Sequence, residues 1–277
     1  MKRIRKYMCH VFLCLMLVIA VLCNGCNNTG KTQKQAETQN LPEIVIGCDN
    51  YPPYSYEDAD GRPTGIDIDL AKEALGRIGY QAVFQNIDWE KKQELLNTGK
   101  IDCIWSSYSI DGREEKYHWT CPYMFSRQVV AVKKDSKIFH LTDLTGKTVA
   151  VQSTTKPEEL FLEYTKNKLP KLKELFALQN RELIYPFLSK GYVDAVAAHE
   201  TAILQCMKDY DLEYRILDES LQTVGIGVAF SITDDRGLDK KLSKVFREMK
   251  KDGSLEEIIG RYLEDPQKYL EEDADEK

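Results

Sequence analysis

The sequence predicts an α/β protein of two lobes joined by two chain crossings. Three observations carry this. Short apolar runs of strand length alternate with segments of helical periodicity from residue 43 to about residue 263. The alternation falls into two series, the second beginning at Gln128. The chain then closes with two helical segments, 238–251 and 255–263, that have no sheet of their own. If those helices pack back on the first series, the first lobe is discontinuous. The chain must then cross between lobes twice, near residues 123–128 and 221–227.

The first series opens with an apolar strand, Glu43–Cys48, followed by a Pro-rich turn and a hairpin-like turn at Gly61. In 67–78, Leu70, Ala71, Ala74, Leu75 and Ile78 recur at helical spacing, and Gly79 supplies the stop. Residues 82–85 read as a strand. Asp88 reads as the N-cap of a helix running to Asn97, and 101–105 as the next strand. In the second series 148–152 is a strand, and Thr155 with Glu158 forms a Thr-x-x-Glu capping box at a helix start. Helix 180–190, strand 193–197, helix 200–209 and strand 213–217 follow, and then an apolar, Gly-containing stretch at 224–231. These elements predict largely parallel sheets.

Before the lobes stand a leader and a tether. Lys2, Arg3, Arg5 and Lys6 precede an apolar run, 11–23, that is close to a signal-peptide core and short for an ordinary membrane span. It ends in Cys23-Asn24-Gly25-Cys26. A small residue before a cysteine is the pattern of a lipoprotein processing site, which makes Cys26 the lipidated residue; a plain signal peptide with incidental cysteines is the alternative. Residues 27–42 are polar and lack aromatics, as a flexible tether does. The expected layout is leader 1–25, lipidated cysteine and tether 26–42, first lobe 43–124, second lobe 125–222, return to the first lobe 223–265, and a frayed acidic tail 266–277. The protein is then expected at the extracytoplasmic face of the cell membrane, held by lipid.

Composition narrows the partners. A net charge of −6 argues against nucleic acid. Of eight cysteines, Cys48, Cys103, Cys121 and Cys206 lie in the folded part; none forms a CxxC or a Cys/His pair at metal-ligand spacing, so they read as small buried hydrophobes, with one disulfide possible. No metal, cofactor motif or nucleophile–base pair is read from the sequence.

Eight phrases then occur in order: Asp49-Asn-Tyr-Pro-Pro-Tyr54; Gly61-Arg-Pro-Thr-Gly-Ile-Asp67-Ile-Asp69-Leu70; Gly99-Lys-Ile-Asp102; Ser106-Ser-Tyr-Ser-Ile-Asp-Gly-Arg113; Pro122-Tyr123; Val149-Ala-Val-Gln152; Gly191-Tyr-Val-Asp194-Ala-Val; and Gly225-Ile-Gly-Val228. Together they resemble the family 3 extracellular solute-binding proteins, the polar amino-acid receptors of ABC importers. The resemblance implies the two-lobed periplasmic-binding-protein fold of type II. It also implies a ligand-handling plan.

On that resemblance Arg113 matches the arginine that grips the ligand carboxylate. A guanidinium presents a planar fork to two carboxylate oxygens and keeps its charge in a dry cleft. Thr154 and Thr155 match second-lobe residues that meet the same carboxylate with hydroxyls and free N–H groups. Ser107 and Ser109 match first-lobe positions offering a carbonyl and a hydroxyl. Tyr51, Tyr54 and Trp89 are aromatics expected at the cleft mouth, with Trp89 stacking on the ligand and core packing the rival role for Tyr54. Asp49 matches a position that reaches the ligand side chain, or else it simply starts a turn. His199 stands where many relatives place the Asp that receives the ligand ammonium, and Glu200 follows as a substitute.

The expected function is capture of a small carboxylate, an amino acid or a derivative, by hinge closure. Delivery to an ABC permease follows, with the receptor acting as a monomer and no chemistry required. The rival is a cleft enzyme on the same fold, such as a cyclohexadienyl dehydratase, with His199 or Glu200 as its acid or base.

Overall fold

The computed structural model describes residues 41–271. The leader, Cys26 and the tether to residue 40 lie outside the described residues, as do 272–277.

Two five-stranded sheets carry the fold. In the first, β1 (Glu43–Cys48) lies parallel to β4 (Gln81–Asn86) and to β5 (Cys103–Ile104), and β12 (Ala229–Ser231) lies antiparallel to β5 and to β6 (Tyr117–Trp119). In the second, β10 (Ala195–His199) is parallel to β8 (Thr148–Gln152) and antiparallel to β7 (Met124–Lys133). There β8 also runs parallel to β9 (Glu174–Leu178), and β7 antiparallel to β11 (Tyr214–Ile226). Both sheets are therefore mixed, where the element order predicted largely parallel ones. The antiparallel pairs come from β7 and β12, strands that enter directly from a chain crossing instead of through a helix. A small hairpin of β2 (Tyr56–Glu57) and β3 (Pro63–Thr64) encloses the turn at Gly61.

The crossings are two long strands that pair with each other. Met124 to Gln128 of β7 run opposite Gln222 to Ile226 of β11. Residues 213–217 and 224–226, read separately in the sequence, are thus parts of one strand whose register shifts between Ile216 and Gln222. Gly227 N donates to the Tyr108 carbonyl at 3.1 Å, and a Cβ on Gly227 would stand 2.8 Å from Ile110 Cδ1. A side chain at 227 would have to displace Ile110, on the loop that carries Ser109 and Arg113.

The helices follow the apolar spacing. In α1 (Ile66–Arg77), Leu70, Ala71, Ala74 and Leu75 are buried. The chain enters it through Gly65, at φ 120°, where a Cβ would lie 2.4 Å from the Tyr54 carbonyl oxygen. Asp88 caps a 3-10 turn, Trp89–Lys91, that leads into α2 (Lys92–Asn97). The second sheet carries α3 (Lys156–Leu162), α4 (Ile184–Ser189) and α5 (Glu200–Asp209). The closing helices, α6 (Leu238–Asp252) and α7 (Ser254–Gly260), bury Leu242, Phe246, Met249 and Ile259 in the same core as α1 and β1.

In the second lobe the strands alternate between two cores. Val129 and Ala131 with Val196 and Ala198 face one side, and Val130 and Val132 with Ala195 and Ala197 the other. A sheet buried on both faces explains the near-continuous apolar runs.

Two expectations are corrected. Residues 266–271 are not frayed: a 3-10 turn, Pro266–Tyr269, buries Tyr269 and Leu270 against the first-lobe core, because these two apolar residues interrupt the acidic composition. Thr155 is the N-cap of α3 but its side chain makes no cap; its hydroxyl donates to the Gln152 carbonyl at 2.6 Å, and Glu158 instead accepts from Thr154 N at 2.6 Å. The four cysteines of the described part are free thiols, and all but Cys121 are buried.

Candidate functional site

A narrow cavity lies between the lobes, lined from both. The first lobe lines it with Tyr51, Trp89, Ser107, Tyr108, Ser109 and Arg113. The second contributes Gln128, Gln152, Thr155, Lys156, Arg181 and His199. The residues come from strand ends and the loops after them, as binding groups do in open α/β sheets.

Arg113 is buried, 7% exposed, with its guanidinium 5.0 Å from the Tyr108 ring centroid. Its Nη1 donates to the Ser109 carbonyl at 3.2 Å and its Nη2 lies 3.1 Å from Glu159 Oε2. Lys156 Nζ meets the other oxygen of that carboxylate at 2.7 Å. One carboxylate from the second lobe thus holds two cations at the cleft.

Ser107 adopts a left-handed backbone conformation, φ 51°, and its N–H donates to Asp67 Oδ2 at 2.6 Å. Tyr123 donates to the other oxygen of Asp67 at 2.7 Å. Burial pushes the Asp67 carboxyl up to about 7, and those two hydrogen bonds oppose it. Ser107 Oγ, Gln128 Oε1, Gln152 Oε1 and Trp89 Nε1 are buried without a hydrogen-bond partner among the described residues. The two amide oxygens accept, the indole N–H donates and the serine hydroxyl does either, so the cavity offers both to a polar ligand. Trp89 meets Tyr108 edge-on, ring centroids 5.5 Å apart.

His199 is 5% exposed and lines the cavity. Burial first, and then the Arg181 and Arg113 charges, push its imidazole down to about 3, so it is neutral in the physiological range. Gln128 Nε2 lies 3.0 Å from its Nε2, and its backbone N–H donates to the Tyr51 hydroxyl at 3.2 Å.

The structure brings together Tyr51, Trp89, Ser107, Ser109, Arg113, Thr155 and His199 of the residues singled out from the sequence. It places four others elsewhere. Glu200 does not face the cavity: its carboxylate pairs with Arg127 at 2.9 Å and with Lys268 at 3.7 Å, because the first turn of α5 points it toward the crossing strand. Tyr54 is fully buried and bonds Thr201 at 2.6 Å and Ser126 at 3.2 Å, so core packing is its role. Asp49 sits behind the wall, with Oδ2 accepting from Gln152 Nε2 at 2.7 Å and from Arg181 Nε at 3.3 Å. Thr154, at φ 59°, turns its hydroxyl to Lys92 Nζ at 2.7 Å.

Sequence reading missed Gln128, Gln152, Lys156, Arg181 and Tyr108. Arg181 is the most consequential, lying over the Tyr51 ring at 3.2 Å from its centroid. The signal was its place, one residue after an N-cap Asn in the loop that follows a strand; β9 itself was not recognised. Among the described residues no group of three His, Cys, Asp or Glu side chains could hold a metal ion, and no helix is long and apolar enough to cross a membrane.

The family model of bacterial extracellular solute-binding proteins, family 3, matches residues 44–265. The chain is 34% identical over 232 residues to the histidine-binding periplasmic protein of Salmonella typhimurium, covering 80% of this chain and 88% of that one. A substrate-binding protein of an ABC uptake transporter from Streptococcus pneumoniae, solved with bound histidine, superposes at a TM-score of 0.74 with 29% identity, covering 80% of this chain and 92% of that one. An ancestral amino acid-binding protein, a precursor of cyclohexadienyl dehydratase, superposes at 0.71 with 28% identity, covering 80% of this chain and 96% of that one.

Proposed function

Because this chain belongs to the family 3 bacterial extracellular solute-binding proteins, we propose that it is the receptor of an ABC importer, capturing a small carboxylate ligand, an amino acid or a derivative, by closure of its lobes. The observation that carries the reading is Arg113, a buried guanidinium in a cavity lined from both lobes. Ligand capture needs an anion clamp that stays charged when dry, and arginine supplies it. The lobes divide the chain at 43–124 with 223–271, and at 125–222. The paired crossing strands are the hinge, so a ligand that bridges the lobes stabilises the closed form. Lipidation at Cys26 would hold the receptor at the extracytoplasmic face of the membrane, beside its permease.

Binding without chemistry is favoured over a cleft enzyme by where the acids and bases lie. Glu200, one of the two catalytic candidates, points away from the cavity, and no Asp or Glu is among the described residues lining it. A screen by thermal shift tests the proposal, since a ligand bound only by the folded form raises the melting temperature. Amino acids and small carboxylates should raise Tm unchanged in composition. A hit that is consumed during incubation overturns the binding reading in favour of catalysis. Cys26→Ala should release the protein from the membrane fraction; retention there removes the anchor from the proposal.

A further inference from the structure

The charges of the cleft are unequal in a way that bears on which carboxylate it takes. Its charged lining residues are Arg113, Lys156 and Arg181, with no Asp or Glu among them. Arg113 and Lys156 share Glu159, so one carboxylate answers two cations there. His199 adds no charge and no anionic partner for a cation. The nearest candidate for receiving a positively charged ligand group is Asp49, and it is already engaged. Its Oδ1 accepts from Asn50 N at 2.9 Å, and its Oδ2 accepts from Gln152 and Arg181.

Arg181 therefore stands between Asp49 and the cavity. It is 8% exposed, its Nε is turned to Asp49, and its guanidinium plane is held against Tyr51. Asp49 fixes this arginine in place, and Tyr51 limits where it can go. The face that a ligand side chain meets is cationic.

We propose that Arg181 makes this cleft selective for a ligand with two acidic groups, one on Arg113 and one on Arg181, and against a ligand with a cationic side chain. This rests on the receptor reading above and names the substrate class of the same site. Both arginines lie in the wall of the one cavity, so a ligand held there meets the two of them. A cationic side chain would bring like charge against Arg181 in a water-poor space, where such contacts are strongly unfavourable. A second carboxylate would gain charge-assisted hydrogen bonds at the same place. An amino group between the two acids is served by the unpartnered acceptors Ser107 Oγ, Gln128 Oε1 and Gln152 Oε1.

The test is calorimetry on the full-length protein with L-glutamate, glutarate, L-glutamine and L-arginine. At least one of the two dicarboxylates is expected to bind roughly tenfold or more tighter than L-glutamine, with L-arginine weakest. In Arg181→Gln the preference for the dicarboxylate over L-glutamine should collapse, and L-arginine should gain because Asp49 is released. Arg181→Lys should keep part of the preference. L-arginine binding the wild type as tightly as the dicarboxylates overturns the inference, and so does an unchanged ranking in Arg181→Gln. The wild-type ranking decides even if a variant fails to fold. L-glutamine binding as tightly as the dicarboxylates leaves the receptor reading standing and removes only this one; no binding by any of the four removes both.

Discussion

Lys92 Nζ, on the first lobe, donates to Thr154 Oγ1 on the second at 2.7 Å and to the Trp89 carbonyl at 3.1 Å. Its ammonium also lies 4.8 Å from the Trp89 ring centroid. No carboxylate pairs with it among the described residues. Burial, and then the charge of Arg113, push this lysine down from 10.5 to about 7. The buried amine is thus both a strut between the lobes and a group that the fold prefers neutral.

This has a consequence for stability against pH. Between about pH 7 and 10 the unfolded chain, with its ordinary lysine, binds more protons than the folded one. Stability therefore gains from Lys92 as pH rises through that window, and the penalty is fully present below it. Lys92→Met should remove this rise. The melting-temperature difference between wild type and variant, followed across the window, checks it; a difference that does not change with pH contradicts the assignment. The same variant should loosen the closed form and weaken ligand binding.

If Arg113 clamps the ligand carboxylate as proposed, Glu159 is its competitor. Its oxygens lie 3.1 Å from Arg113 Nη2 and 2.7 Å from Lys156 Nζ. In Glu159→Gln the two cations lose their shared anion, and the cleft becomes more attractive to a carboxylate. Affinity for a carboxylate ligand should rise about three- to tenfold, equivalent to about 1 kcal/mol. Calorimetry reads this directly, and a fall in affinity would show that Glu159 holds Arg113 in place instead of competing for it.

Arg113→Ala carries the receptor reading itself. Each charge-assisted hydrogen bond that the guanidinium gives a carboxylate is worth roughly 1.5–3 kcal/mol, so losing a bidentate pair should weaken binding by two orders of magnitude or more, on the order of 3 kcal/mol. Circular dichroism should stay native. Unchanged affinity in a folded variant would place the carboxylate elsewhere.

Much of this architecture was legible because it rests on local pattern. Leu70, Ala71, Ala74 and Leu75 announce α1 by spacing, and the closing helices, which lack a sheet of their own, pack into the core of α1 and β1. Arg113 was found only through a resemblance, since in the charged run 111–116 it looks like a surface residue. What the sequence hid depends on long-range placement. Arg181 and Asp49 are 132 positions apart, and so are Asn50 and Glu182, which bond at 2.6 Å on the same inter-lobe seam. Glu200 shows the converse: its neighbour His199 faces the cavity, and one step along the chain at a strand-to-helix junction sends the carboxylate to Arg127. No periodicity announces such a turn.

Tyr54 and Glu200 provide the sharpest check on those corrections. Tyr54→Phe deletes a hydroxyl that bonds Thr201 and Ser126, both buried, while keeping the ring. Leaving those partners short of a bond should cost about 1–2 kcal/mol of stability, visible in urea unfolding. Glu200→Gln removes the anion facing Arg127 and Lys268 and should also destabilise, by less, because its partners remain partly solvated. Neither group touches the cavity, so calorimetric affinity for a carboxylate should stay within about twofold of wild type, about 0.4 kcal/mol. A large affinity loss in folded Glu200→Gln would return that carboxylate to the ligand. The same loss in Tyr54→Phe would mean that the Tyr54–Ser126 bond, beside the first crossing strand, helps set how the lobes close.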